Sequence, residues 1–239
     1  GADYVEQLLR RKPTAVLGLA TGRTPVRLYQ ELSRRPHVDF RQITTFNLDE
    51  YVGLPPEHPS SYHCFMQQNF FRPLEIQPHQ WNIPDGQAAD LEKECREYEE
   101  RIQTSGGIDL QILGIGHDGH IGFNEPTSSL RSRTRVKTLT ASTVEANRSE
   151  FPSGQEPPLH VLTMGVGTIL EARHILLMAF GEGKSEIVAK MIEGPLTAMV
   201  PASALQLHPK VTVILDEPAA SRLTMLEYYR QVYDHKNER

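Results

Sequence analysis

The sequence predicts an α/β protein: an open, mostly parallel sheet with helices on both faces. Short apolar runs of strand length alternate with segments of helical periodicity along the chain. Runs such as IDLQILGI are apolar at successive positions, as a strand covered on both faces must be. Most runs break into turns rich in glycine, hydroxyls or charge (GLATGRTP, FNLDEYVG, LGIGHDGH, FGEGKS), and ligands of parallel sheets bind beyond the carboxyl ends of the strands.

The elements follow in order. GADYVEQLLRRK reads as the end of a helix, and because the chain opens with Gly rather than Met, further residues are expected upstream, a first strand among them. TAVLGLA (14–20) is a strand that leads through ATGRTP into the helix PVRLYQELSR, with Pro25 as its first residue. QITTFNL (42–48) is a second strand, followed after a loop by the helix SSYHCFMQQNFF (60–71). In ADLEKECREYEERIQT (89–104), Leu91, Cys95, Tyr98 and Ile102 recur at helical spacing, and IDLQILGI (108–115) is a buried strand. FPSGQEPP (151–158) has the Pro and Gly content of a mobile surface loop. LHVLTMGV, HILLMAF and VTVILDE read as strands, GKSEIVAKMIEG as a helix, and a last helix starts near 218. With no internal repeat, one domain over all 239 residues is the simplest organisation.

Composition narrows the function. A net charge of -5 with no long Lys/Arg run disfavours nucleic acid, which demands a concentrated basic surface. No apolar stretch reaches the roughly 20 residues of a membrane span, and the N-terminus lacks a signal peptide's apolar core. Cys64 and Cys95 fall in helical segments without a disulfide or zinc pattern, so the expectation is a soluble cytoplasmic protein with reduced thiols.

Four strand ends carry chemistry. At ATGRTP, free backbone N–H groups at a helix start, beside the Thr21 and Thr24 hydroxyls, make an anion cradle; neither GxxxxGK[ST] nor GxGxxG is present, which disfavours a nucleotide but leaves room for a small phosphoester. An ordinary turn capped by Thr24 fits the same residues. Asp49 and Glu50 follow TTFNL where a carboxylate is well placed as a base, or as a simple cap. LGIGHDGHIGFNEP (113–126) holds His117, Asp118, His120 and Glu125. As a metal site it lacks the fixed helical face of HExxH; as an acid/base site Asp118 and Glu125 would tune His120; as a polar turn it would not need Gly114, Gly116, Gly119 and Gly122. Lys184 begins a helix, where a cation opposes the macrodipole unless an anion offsets both.

Taken together, GLATGRTP, TTFNLDEYVGLPPEHPSSY, LGIGHDGHIGFNEP, SRTRVKTLT, GVGTILEA, GEGKSEIV and ALQLHPKVTVILDEP resemble the glucosamine-6-phosphate deaminase family, in one order over nearly the whole chain. The resemblance implies a Rossmann-like fold and conversion of glucosamine 6-phosphate to fructose 6-phosphate and ammonia, with no metal and no organic cofactor. It makes Asp49 the base at carbon 2, and His120 the ring-opening group held by Asp118 and Glu125. It puts the phosphate on Thr21, Gly22, Arg23 and Thr24, on an arginine near 148, and on Lys184. The family pattern Ala-Asn-x-Arg reads ANRSEF here, so Arg148 comes one residue early and Glu150 sits nearby. Ser128, Ser129, Arg135 and Lys137 match the polar residues of an allosteric site for N-acetylglucosamine 6-phosphate, which some members carry together with a homo-oligomeric assembly.

Two rivals share much of this. A 6-phosphogluconolactonase has the same fold and a GxGxDGH word, but its pattern runs toward Ser-Leu-Phe-Pro where this chain has GFNEP, and a lactone hydrolase needs no base at carbon 2. A sugar-phosphate-sensing domain of a transcription regulator would need a DNA-binding module, and none fits the segment before Thr14.

Overall fold

A computed structural model describes residues 1–235. Its centre is a six-stranded sheet, every pair of neighbours parallel, built from β1 (Val16–Leu19), β2 (Thr44–Asn47), β4 (Trp81–Asn82), β5 (Leu110–Leu113), β8 (Ile175–Ala179) and β9 (Val211–Leu215) in the order β4-β2-β1-β5-β8-β9. The alternation of side chains along each strand divides the core in two. In β1 and β8, Val16, Ile175, Leu177 and Ala179 face α4 (Leu91–Thr104), α6 (Val166–Leu170) and α7 (Ser185–Ile192), through Tyr98, Ile102, Ile169, Ile187, Val188 and Met191. Leu17, Leu19, Leu176 and Met178 point the other way, against Val5, Leu9, Leu28, Tyr29 and Leu32 of α1 (Ala2–Arg11) and α2 (Arg23–Ser33). Both faces are therefore covered, as the runs of consecutive apolar residues require. This is the Rossmann-like α/β architecture.

A second, three-stranded antiparallel sheet was not foreseen. It joins β3 (Asp49–Tyr51), β7 (His160–Thr163) and β6 (Arg135–Thr138) in the order β3-β7-β6. LHVLTMGV thus leaves the main sheet, and Asp49 does not sit in a loop: the chain ends β2 at Asn47 and re-enters strand geometry at once, Asp49 opposite Thr163. Under this sheet lies a small aromatic core of Tyr51, Tyr62, Phe123 and Phe151.

Several boundaries also move. The opening segment is helical over Ala2–Arg11. The 60–71 helix is a short α3 (Tyr62–Met66) that widens into a π-turn over Gln67–Phe71. The expected last helix is divided into α8 (Glu217–Ala220) and α9 (Leu226–Asp234). FPSGQEPP is anchored at its start and its middle: Phe151 packs edge-on against Tyr51, and the Gln155 amide meets the His58 ring.

Candidate active site

The main sheet changes winding direction between β1 and β5, since β2 lies on one side of that pair and β8 on the other. A crevice forms at such a point, outside the carboxyl ends of the strands. Here it is a cavity of about 420 Å³. Its walls are the turn after β1 (Ala20–Thr24), Leu48 and Asp49 after β2, Gly114–His117 and His120 after β5, and Lys184 after β8, with Tyr62, Phe123, Asn147 and Glu150 closing it.

At the β1 turn the helix starts at Arg23, two residues earlier than Pro25, with Gly22 in the cap position at φ 86°. Glycine brings no side-chain cap, and Thr24 provides none. The first N–H groups of α2 are left for a ligand, and the helix dipole favours an anion there. Arg23 is a cation at the positive end of that dipole, and it donates from Nη2 to Ser149 Oγ at 3.3 Å. Lys184 closes a 3₁₀ turn ahead of α7 and donates from Nζ to the Ile115 carbonyl at 2.8 Å. Burial lowers its proton affinity, partly offset by the Asp118 charge. Among the described residues neither Arg23 nor Lys184 of the cavity wall forms a carboxylate ion pair, an arrangement that suits an anion.

Asp49 is 5% exposed, and its Oδ2 lies 3.5 Å from the place where a Cβ on Gly122 would stand. Burial first, and the charge of Glu50 second, push its pKa well above the usual carboxylate range. A carboxylate so destabilised is a strong proton acceptor. His120 Nδ1 lies 2.6 Å from Asp118 Oδ1. Burial works against the Asp118 charge, but hydrogen bonds and charge from His120 outweigh it and bring Asp118 down to about 2. The same carboxylate accepts from the His120 backbone N–H at 3.1 Å, which fixes the tight turn. The ring lies directly on Gly116, where any Cβ would collide with it.

The structure thus gathers Thr21, Gly22, Arg23, Thr24, Asp49, His120 and Lys184 around one cavity, with Asp118 behind His120. Among the described residues no hydrogen bond joins Glu125 to the His120 ring. Glu125 is 2% exposed and accepts from the Thr140 N–H and hydroxyl (3.1 and 2.7 Å) and, by a short bond, from the Thr143 hydroxyl. It therefore ties down the start of α5 (Ala141–Asn147), whose far end enters the cavity wall. Arg148 turns outward to Glu145 and Glu156, both at 2.8 Å, and leaves the cavity to Arg23. Ser128, Ser129, Arg135 and Lys137 lie apart from the cavity lining: Arg135 and Lys137 share a face of β6, Arg135 donates to Asn124 Oδ1 at 2.9 Å, and the buried Ser128 hydroxyl has no partner. Among the described residues no three His, Cys, Asp or Glu side chains stand together as a metal ion would require, and His117, His120 and Glu125 form no such group.

Tyr62 and Phe123 escaped the sequence reading. Tyr62 stacks on Phe123 with ring centres 6.1 Å apart and planes at 9°, forming an apolar wall beside Asp49. The only trace of this in the sequence is the Tyr of PSSYHCF, which reads simply as a helix residue.

A Rossmann-like sheet that sets an open anion cradle a few side chains away from a desolvated carboxylate and a carboxylate-held imidazole defines an acid–base enzyme of the α/β class. The family model for glucosamine-6-phosphate isomerases/6-phosphogluconolactonase matches residues 2–214, and the chain belongs to that family. It is 53% identical over 235 residues to a glucosamine-6-phosphate deaminase of Hahella chejuensis, covering 97% of this chain and 90% of that protein. It is likewise 53% identical to one of Streptomyces coelicolor, covering 98% and 92%. A solved structure of a monomeric glucosamine-6-phosphate deaminase superposes with TM-score 0.90 at 48% identity, covering 92% of this chain and 93% of that one. A 6-phosphogluconolactonase from Trypanosoma cruzi has the same fold, with TM-score 0.76 at 21% identity over 93% and 91% of the two chains. No helix among the described residues is long and apolar enough to cross a membrane.

Proposed function

We propose that the protein converts glucosamine 6-phosphate and water to fructose 6-phosphate and ammonia, a step of amino-sugar breakdown. The observation that carries this reading is Asp49, a cavity-lining carboxylate held out of water next to a second acid. A lactone hydrolase has no proton to take from carbon 2, whereas an aldose–ketose isomerisation begins with one.

The phosphate docks on the α2 N-terminus, Arg23 and Lys184, and the anchored sugar extends toward Asp49 and His120. His120 takes the proton of the carbon-1 hydroxyl and gives one to the ring oxygen, opening the pyranose, with Asp118 balancing the imidazolium formed between the two transfers. Asp49 takes the carbon-2 proton, leaving an enolamine. Return of a proton to carbon 1 gives an imine at carbon 2, which water hydrolyses to the ketone with release of ammonia. Tyr62 and Phe123 cover one side of the reacting carbons and limit water there. Cys64 and Cys95 are free thiols, which suits the cytoplasm. Ser128, Ser129, Arg135 and Lys137 fit a separate site for a sugar-phosphate effector, where Arg135 has no carboxylate ion pair among the described residues.

The test is direct. Incubation with glucosamine 6-phosphate yields ammonia and fructose 6-phosphate in equal amounts, with no hydrolysis of 6-phosphogluconolactone. Lactone hydrolysis without ammonia release would overturn the assignment.

A further inference from the structure

Glu50 is 4% exposed, outside the cavity lining, and yet charged groups are rarely buried without a task. Its Oε1 accepts from the N–H of Tyr51 at 2.8 Å and of Tyr62 at 3.0 Å, and its Oε2 accepts from the N–H of His63 at 2.8 Å. Two of these donors belong to the first turn of α3, whose remaining cap is Ser61 accepting from Cys64 N–H at 3.0 Å. One side chain therefore clamps the strand that carries Asp49 to the helix whose first residue, Tyr62, forms the wall over Asp49. An amide at this position would offer one oxygen for three donors and turn its own NH₂ against at least one of them.

We propose that Glu50 is a positioning residue for the reaction: its buried carboxylate sets the distance between Asp49 and Tyr62, and its negative charge beside Asp49 sets the pH at which that base works. The inference rests on Asp49 being the base. The geometric part of the argument is the clamp; the charge adds to it, because the negative charge of Glu50 stands second, after burial, among the causes that raise the proton affinity of Asp49. Burial raises the proton affinity of Glu50 itself, and its three N–H partners lower it. The other titratable groups around the pair are Tyr51 on the same strand, Tyr62 and His63 of α3, Tyr98 of α4, Glu150 of the 148–150 turn, and His120 and Lys184 across the cavity. Among these, Glu50 alone is both directly adjacent to Asp49 and saturated by backbone donors.

Two substitutions separate the clamp from the charge. In Glu50→Gln, the acidic limb of the kcat/KM profile moves down by about one pH unit, because removal of a like charge weakens the base, and carbon-2 proton exchange at neutral pH slows several-fold. In Glu50→Asp, the charge stays while the shorter chain loses Tyr62 and His63; the limb stays in place and KM rises. If both variants lower only the melting temperature and leave the limb unmoved, Glu50 is a structural cap and the proposal fails. Should Glu50→Gln not fold, carboxyl ¹³C titration of the wild-type protein decides: Asp49, assigned by its absence in Asp49→Asn, shows two coupled inflections, and a single independent one overturns the proposal. Asp49→Asn assayed in parallel keeps the two readings apart, since surviving carbon-2 exchange in that variant refutes the base assignment itself, whatever Glu50 does.

Discussion

Replacing Gly116 with alanine isolates the contribution of His120 without touching it. An alanine Cβ at 116 would fall inside the 3.0 Å that Cβ contacts essentially never cross, against Cε1, Nδ1 and Nε2 of the His120 ring together. Three ring atoms in conflict cannot be relieved by rotating the ring edge, so the imidazole must withdraw as a whole by roughly 1 Å, and a misplacement of that size costs about 100-fold in rate. That corresponds to about 2.7 kcal/mol of transition-state stabilisation. The withdrawal also lengthens the 2.6 Å pairing with Asp118. The backbone itself tolerates alanine, because Gly116 is not among the glycines at positive φ. The anion cradle is untouched, so kcat falls about 100-fold while KM stays near its original value. Gly183→Ala is the control: it is close by in the chain to Lys184, at ordinary φ, and its added methyl meets nothing within 4 Å. The assay is ammonia release over a range of glucosamine 6-phosphate concentrations, with thermal melting as a check on folding. A Gly116→Ala enzyme that keeps a third or more of wild-type kcat would mean that the position of His120 does not limit turnover.

Two more predictions concern charge. Asp49→Asn abolishes carbon-2 proton exchange yet raises the melting temperature, and more so at pH 8 than at pH 5. The folded-state pKa of Asp49 lies well above 3.8, so its contribution to stability is present at low pH and lost as pH rises through the folded value. A gap that widens on acidification would contradict this. Arg23→Gln removes a charge-assisted phosphate contact of about 1.5–3 kcal/mol and raises KM at least tenfold, whereas Arg148→Gln, which breaks only surface pairs with Glu145 and Glu156, changes KM less than twofold. Equal effects in a steady-state comparison would restore Arg148 to the phosphate site.

Much of this was legible in the sequence, and the exceptions share a cause. Alternating periodicity is local, and it shows five of the six strands of the main sheet, missing the two-residue β4, together with the flanking helices and the turns that line the cavity. The grouping of Thr21–Thr24, Asp49, His120 and Lys184 follows from one rule about strand ends. The small sheet does not follow from any local pattern: RVKT and HVLT look like any other strands until they find each other, and only tertiary pairing decides which sheet they join. Nothing in GFNEP foretells the hydrogen bonds of Glu125 to Thr140 and Thr143, which lie 15 and 18 residues further along the chain. Arg148 turns away from the cavity while Arg23 stays in its wall, again through contacts that no local pattern shows. Acidic neighbours at 145 and 156 capture the first, and a helix start one strand away presents the second.

The short step from β2 to β3 also governs how the enzyme comes into being. Asp49 is fixed in register by Thr163, and β7 in turn by β6, so no part of the first half of the chain can place the base alone. A polypeptide emerging from the ribosome carries its anion cradle, base and imidazole early, but as loose parts. They become a catalyst only when the strand at 160–163 arrives to dock against them. Synthesis therefore delivers an inert precursor until late. A chain cut within the exposed stretch 152–154, between β6 and β7, would yield two silent halves whose reunion alone restores chemistry.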